Sequence, residues 1–335
     1  MVDVDRARAE AVATRAFEAA GVDHADARLT AEMLVDADAR GKHSHGLIRL
    51  PRYIRGVDHG NVDPAGEMTV VRDRGATATL DGGSRLGPVV ALEALAEATS
   101  RADDYGVGVV GVHNSNHLGM LGYYTDKARA EGYVAIGMTN TEPAMPPYGG
   151  AESILGTNPL AIGIPTDPPF NLDMSTSSIS RGEVFKMSQQ GGTLPEGVAL
   201  DADGEPTTDP DAALDGVILP FGGTKGSGLA IAIEILAGGL VGAAMGDDVT
   251  GTYHTENECT KGDLFIVIDP AALGGDGFTE RADAFVESLK SLSRASGVDE
   301  IRLPGEASAQ RATAETITVD DELWEEIQTR AEVSQ

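Results

Sequence analysis

The stretch Gly106-Val107-Gly108-Val109-Val110-Gly111-Val112-His113-Asn114-Ser115-Asn116-His117 decides how this chain folds. Its first six residues match the dinucleotide fingerprint G-x-G-x-x-G. That fingerprint works when a strand precedes the glycines and a helix opens among them, so that a pyrophosphate sits on the helix N-terminus. Here the order is reversed. A helical pattern from Gly87 to Tyr105 comes first, and Val107 to Val112 is itself a buried-strand pattern. The spacing predicts a glycine-rich strand after a helix C-cap rather than a Rossmann phosphate loop. The polar run His113 to His117 then falls at a strand end, where α/β proteins place ligand groups.

Outward from this stretch, helices and strands alternate. Two helices are expected over 5–20 and 23–40, with Gly21 and Gly41 as stops and Asp23 as an N-cap. Pro51 opens a third that runs to Gly60. Short strands are predicted over 68–71 and 76–80, then a helix over 118–131 and strands over 133–138, 159–164 and 170–174. Residues 191–219, rich in Asp, Pro, Gly and Thr, read as loop with little core. The apolar run 229–245 has the length of a membrane span. Glu234 interrupts it and Gly238, Gly239 and Gly242 give it small faces, so it reads as a buried core helix. A strand over 264–268, a helix over 279–293, a strand over 300–303 and a last helix from Asp320 complete the pattern. This order predicts a mixed α/β protein, and 335 residues suffice for two or three domains.

The charge is unusual. There are 53 acidic against 25 basic side chains, a formal −28, and six lysines in all. A field of that sign repels nucleic-acid backbones and anionic lipid, so neither is an expected partner. Spread along the whole chain, it repels itself at low ionic strength and is screened by salt, which predicts a high-salt, halophilic cytoplasm as its setting. Cys259 is the lone cysteine and rules out an intramolecular disulfide or a cysteine-based metal site. The acidic start Met1-Val2-Asp3-Val4-Asp5 does not read as a signal peptide, and a soluble, cytoplasmic protein is expected.

Five of the seven histidines fall in two windows, His43, His45 and His59, then His113 and His117. Around Ser44-His45-Gly46, with Arg49 beyond, a titratable imidazole and a hydroxyl meet a permanent cation at the start of a helix. A guanidinium fork matches a carboxylate in two parallel hydrogen bonds, and an imidazole exchanges protons near neutral pH. The set suits a small 2-oxo or 2-hydroxy acid; polar residues of a surface loop would share the spacing. No carboxylate stands at a recognised metal spacing, and no metal is expected. Gly222-Gly223-Thr224-Lys225-Gly226-Ser227-Gly228 fits either a turn or a cradle for an anion. Arg52 and Arg55, each one helical turn beyond the last, read as solvated cations, with recognition of a second acid group as the alternative.

Ser44-His45-Gly46 with Arg49, Ser115-Asn116-His117, Gly156-Thr157-Asn158-Pro159, Leu172-Asp173-Met174-Ser175-Thr176-Ser177, Gly223-Thr224-Lys225-Gly226 and Arg302-Leu303-Pro304-Gly305-Glu306 occur in one fixed order. Together they resemble the type 2 malate/L-lactate dehydrogenase family, which also holds sulfolactate, ureidoglycolate and diketogulonate dehydrogenases. The resemblance implies a non-Rossmann α/β fold of mixed sheets with flanking helices. It implies hydride transfer between NAD or NADP and C2 of a 2-hydroxy acid, in a homodimer or higher even-numbered assembly. One domain would comprise 1–117 plus 295–335, for substrate and dimerisation. The other, 118–294, would bind the cofactor and include a helical portion around 225–250. By the same resemblance His45 is the acid/base group, Ser44 and Arg49 assist substrate, and His117 lies near the reacting centre. Thr141, Thr157, Asn158, Asp173, Met174, Ser175, Lys225, Gly305 and Glu306 are expected at the cofactor, with Asp173 alternatively orienting His45. An imino-acid reductase of the same family, or a silent oligomeric binding protein, are the rival readings.

Overall fold

The computed structural model describes residues 1–275 and 277–332. Its strands are β1 (Val2–Asp5), β2 (Thr69–Arg74), β3 (Thr77–Asp81), β4 (Val107–His113), β5 (Val134–Thr139), β6 (Leu160–Ile164), β7 (Phe170–Met174), β8 (Ala199–Leu200), β9 (Val217–Ile218), β10 (Asp263–Ile268) and β11 (Thr316–Val319). Its helices are α1 (Arg6–Ala19), α2 (His24–Ala39), α3 (Leu50–Asp58), α4 (Gly87–Tyr105), α5 (Leu121–Ala130), α6 (Arg181–Gln189), α7 (Pro210–Asp215), α8 (Thr224–Ile233), α9 (Pro270–Gly274), α10 (Phe278–Lys290), α11 (Glu306–Arg311) and α12 (Asp321–Glu332).

Seven strands form one sheet in the order β2-β3-β4-β10-β5-β6-β7. Only the β3–β4 pair is parallel among these neighbours. In a Rossmann unit β4 and β5, joined through α5, would be partners. Here β10 arrives from 124 residues after the end of β5 (Thr139 to Asp263) and lies antiparallel between them. The sheet also draws strands from both sides of residue 117.

The fingerprint glycines lie in and just before β4, and their use is steric. A Cβ on Gly108 would stand 1.9 Å from the Ala98 carbonyl oxygen of α4, and one on Gly111 would stand 2.5 Å from Val241 Cγ1. Gly106 takes φ +80° as the left-handed C-cap of α4. These glycines let the neighbouring elements approach the sheet closely.

The main core fills the space between α1, α2, α4, α5, α12 and the sheet, around Phe17, Met33, Leu34, Val110, Tyr124, Phe265 and Ile327. Asp23 caps α2 by accepting backbone N–H groups, as expected, and Asp5 does the same for α1.

Three sequence expectations need correction. Residues 300–303 form no strand; the C-terminal strand is β11, which pairs with the acidic β1 at the other end of the chain. That pairing is invisible locally, because four residues gain strand character only from a distant partner. Residues 191–219 are not coreless: β8, α7 and β9 close over Leu194, Val198, Ala199, Ala213 and Ile218. The helix α6 ahead of them, with Ser180 as its N-cap, was also absent from the sequence pattern. The apolar helix starts at Thr224, passes through a π turn at Glu234–Gly238 and a 3-10 turn at Gly239–Val241, and is only half-buried. The run Thr224–Val241 is long and apolar enough to cross a membrane, and 44% of it is buried inside the fold. Ala230, Ile233, Ala237 and Val241 face the core, while Ile231, Ile235, Leu236 and Leu240 are exposed.

Candidate active site

The chain between α2 and α3 is built to hold an irregular turn. Asp38, in the last turn of α2, accepts the Leu47 backbone N–H at 2.7 Å and bonds His43 Nδ1 at 2.9 Å. A Cβ at Gly46 would stand 2.2 Å from Asp38 Cγ, so only glycine lets the turn close onto that carboxylate. Within it, Ser44 Oγ lies 2.9 Å from His45 Nδ1, and Arg49 Nε donates to the Ser44 carbonyl at 2.6 Å. Among the described residues the two terminal nitrogens of Arg49 make no hydrogen bond. That leaves the fork free for a carboxylate.

His117 is brought to the same place by the segment that follows β4. The turn after β4 carries it across from Tyr53 of α3, and its ring stacks on His45 with 5.8 Å between centroids and 18° between planes. The Gly119 backbone N–H donates to His117 Nδ1 at 3.3 Å. A backbone amide can only donate, so Nδ1 is an acceptor, and the Tyr53 hydroxyl at 2.8 Å donates to it as well. The proton of the neutral ring therefore sits on Nε2.

Electrostatics keep both rings neutral. His45 is half-buried by surface area, yet it is packed deeply enough that desolvation pulls its pKa down to about 3, with Arg49 and Lys42 adding to the shift. His117 falls well below the usual histidine range, through burial first and then the cations Arg49 and Arg52. Burial lowers Arg49 as well. Burial and the Arg49 charge also lower Arg52, to about 10. An electropositive floor thus stands inside a chain of formal charge −28.

The residues expected at a cofactor form a connected band beside this floor. Thr157 N–H donates to Thr141 Oγ1 at 3.0 Å, and Thr141 N–H donates to Asn158 Oδ1 at 3.2 Å. Both N–H and hydroxyl of Thr176 donate to the Thr157 carbonyl at 2.8 Å, which ties in the segment Asp173, Met174 and Ser175. Phe221 N–H donates to the Thr176 carbonyl, bringing up the loop that ends at the exposed Lys225. At the other end Asn171 N–H donates to the Pro304 carbonyl, which sets the Gly305 turn against β7. Glu306 pairs with Lys290 and accepts the Leu303 N–H, closing that turn. The turn that carries His45 approaches α6 at Ser44, whose Cβ is 3.6 Å from the position of a Cβ on Gly182.

Asp173 does not hydrogen-bond His45. Its carboxylate accepts the Gly122 N–H at the start of α5 and lies near Lys42, while burial pushes its pKa up. The partner of His45 is Ser44.

Three features were missed in the sequence. Tyr53 falls within the helix that Pro51 opens, four residues after Arg49 and so on the same helical face, with no role assigned to it by the pattern. Arg52, expected as a solvated surface cation, is 7% exposed; Arg55 alone is exposed as expected. Glu234 is a buried carboxylate that accepts from Asn140 Nδ2, Asn158 Nδ2 and Gly246 N–H, locking the π turn to the ends of β5 and β6. Its interruption of an apolar run was the visible signal.

The sequence model of the malate/L-lactate dehydrogenase family matches residues 4–328. The chain is 45% identical over 304 residues to an L-sulfolactate dehydrogenase of Methanothermobacter thermautotrophicus, covering 89% of this chain and 87% of that one. It is 34% identical over 329 residues to a (2R)-3-sulfolactate dehydrogenase (NADP(+)) of Chromohalobacter salexigens, with 96% of each covered. The solved sulfolactate dehydrogenase from Methanocaldococcus jannaschii superposes with a TM-score of 0.95 at 40% identity, over 99% of this chain and 98% of that one. The reversed fingerprint, the interposed β10 and the turn bearing His45 and Arg49 are thus features of a chain that belongs to the malate/L-lactate dehydrogenase family.

Proposed function

We propose that the protein is an NAD(P)-dependent oxidoreductase that interconverts a small 2-hydroxy acid and its 2-oxo acid, with His45 as the acid/base group. The observation that carries this reading is the stacked, neutral His45–His117 pair beside the unfilled fork of Arg49. The donor set of the neighbouring band fits a dinucleotide: threonine and serine hydroxyls at 141, 157 and 175, and Lys225 with no ion pair among the described residues. When bound, the nicotinamide supplies or accepts the hydride at C2. Thr141, Thr157, Asn158, Asp173 to Ser175, Lys225 and the Gly305-Glu306 turn would hold it.

The chain's own groups divide the remaining work. Arg49 receives the C1 carboxylate in its fork and fixes the C2 oxygen relative to His45. In the oxidative direction neutral His45 takes the hydroxyl proton on Nε2, because Nδ1 is occupied by Ser44. Neutral His117 offers its Nε2–H to an oxygen of the substrate, which helps stabilise charge building there. In reduction His45 must first be protonated. The acid group of the substrate cancels the Arg49 charge that holds its pKa down, so substrate binding itself favours proton uptake.

The exposed side chains Ile235 and Leu240, 55% and 65% accessible, support a second copy of the chain against the π and 3-10 turns that follow α8, and hence a homodimer. The test of activity is reduction of pyruvate, oxaloacetate and sulfopyruvate with NADH or NADPH, followed by loss of reduced-cofactor absorbance. Turnover with a 2-oxo acid is expected. Turnover confined to cyclic imino acids, or none with any acid, overturns the reading.

A further inference from the structure

Arg52 presents a physical problem that the reaction at C2 does not solve. Its side chain is 7% exposed, and neither Nη1 nor Nη2 has a hydrogen-bond partner among the described residues. A buried guanidinium without a partner is costly, and the chain has 53 carboxylates with which to supply one. Glu142, whose charge acts on Arg52, instead accepts the Tyr253 and His254 backbone N–H groups. The guanidinium carbon also lies 5.2 Å from the centroid of the Tyr253 ring. Beside it lies a space of about 20 Å³ lined by Arg52, Tyr53, Asn116, His117 and Thr255. That is room for one water-sized atom, the place that one oxygen of an acid group would take as it pairs with the fork. Arg52 stands one turn along α3 from Arg49, a separation of roughly 5–6 Å between Cβ atoms. Two acid groups on a backbone of three or four atoms span a comparable distance.

We propose that Arg52 is a specificity residue that receives a second acid group, carboxylate or sulfonate, at the far end of the substrate. This rests on the reading of the His45 and Arg49 site as the place where C2 and C1 bind. The preferred substrates are then small two-acid compounds rather than monocarboxylates of the lactate type. Recognition is one-sided: a monocarboxylate leaves the buried fork unpaired, whereas the second acid group satisfies it.

The experiment compares kcat/KM for oxaloacetate and sulfopyruvate with that for pyruvate, in the wild type and in Arg52→Gln and Arg52→Lys. The wild type is expected to favour the two-acid compounds. In Arg52→Gln the ratio of two-acid to one-acid kcat/KM should fall by about 10- to 100-fold, the range set by losing charged hydrogen bonds. Arg52→Lys, which keeps the charge but not the fork, should fall less. An unchanged ratio, with all substrates losing equally, would mean that Arg52 only packs on Tyr253, and the proposal is overturned. If the variants do not fold, a wild type that shows no preference between the two substrate types overturns it equally. If the wild type reduces no 2-oxo acid, the dehydrogenase reading fails by itself. Thermal stabilisation by malate and by lactate then decides the subsite: a malate shift lost in Arg52→Gln supports it, and equal shifts from both acids refute it.

Discussion

The imidazoles of His45 and His117 lie face to face, 5.8 Å between centroids and 18° between planes, and both are held neutral by burial and by the neighbouring arginines. Two cationic rings at that separation would repel each other, so the pair carries at most one added proton in ordinary conditions. His117 has Nδ1 fixed as an acceptor by Gly119, which makes its ring a donor. His45, bonded on one side to a hydroxyl that can donate or accept, is the ring free to change its protonation state.

Replacing that ring is the direct check on its role. His45→Gln is expected to lower kcat by roughly 100-fold or more, the usual size of an acid/base contribution, with an unchanged circular dichroism spectrum. Steady-state assays with reduced cofactor measure this, and near-normal turnover removes His45 from the chemistry.

The same ring shapes the response to acid. In the folded protein His45 stays unprotonated down to about pH 3, while in the unfolded chain it takes a proton near its reference pKa of about 6.5. Between those values the unfolded state binds more protons, so the contribution to stability is intact above the upper value and is lost as pH falls through the window. Thermal melts from neutral pH to about pH 4 should show a smaller loss in His45→Gln than in the wild type. His117, also depressed, keeps part of the acid sensitivity in that variant.

Arg49→Lys retains a charge but loses the planar fork. Because Nε also donates to the Ser44 carbonyl at 2.6 Å, the substitution loosens both substrate and the turn that carries His45. KM for the 2-oxo acid should rise and kcat fall together, by about 10-fold or more each, in assays saturating in cofactor.

Lys261 and Asp263 form a bidentate pair at 2.6 Å, and both side chains are 1% exposed. Lys261→Met strands a buried carboxylate at the start of β10 and should cost about 3–5 kcal/mol of unfolding free energy in urea. Removing both charges, as Lys261→Met with Asp263→Leu, should restore most of it. A single variant as stable as the wild type contradicts this account.

Surface charge sets a last expectation. With 53 acidic and 25 basic side chains, self-repulsion is screened as salt rises from low to molar concentration. The melting temperature should climb with KCl over that range, and greater stability in dilute buffer counts against a high-salt setting.

The sequence by itself determined the local elements and the chemistry at hand. Caps at Asp5 and Asp23, the Gly106 C-cap and the reversed order of helix and glycines follow from local sterics and hydrogen bonding, which neighbouring residues fully specify. His45 and Arg49 are picked out by residue type and by the family resemblance, while the turn that holds them is closed by Asp38 of α2. Tertiary structure alone decided what depends on long-range approach: β10 between β4 and β5, β1 on β11, and His117 against His45 across 72 positions (45 to 117). It also decided the environment of Arg52, since burial is a property of what packs over a residue and no local spacing encodes it.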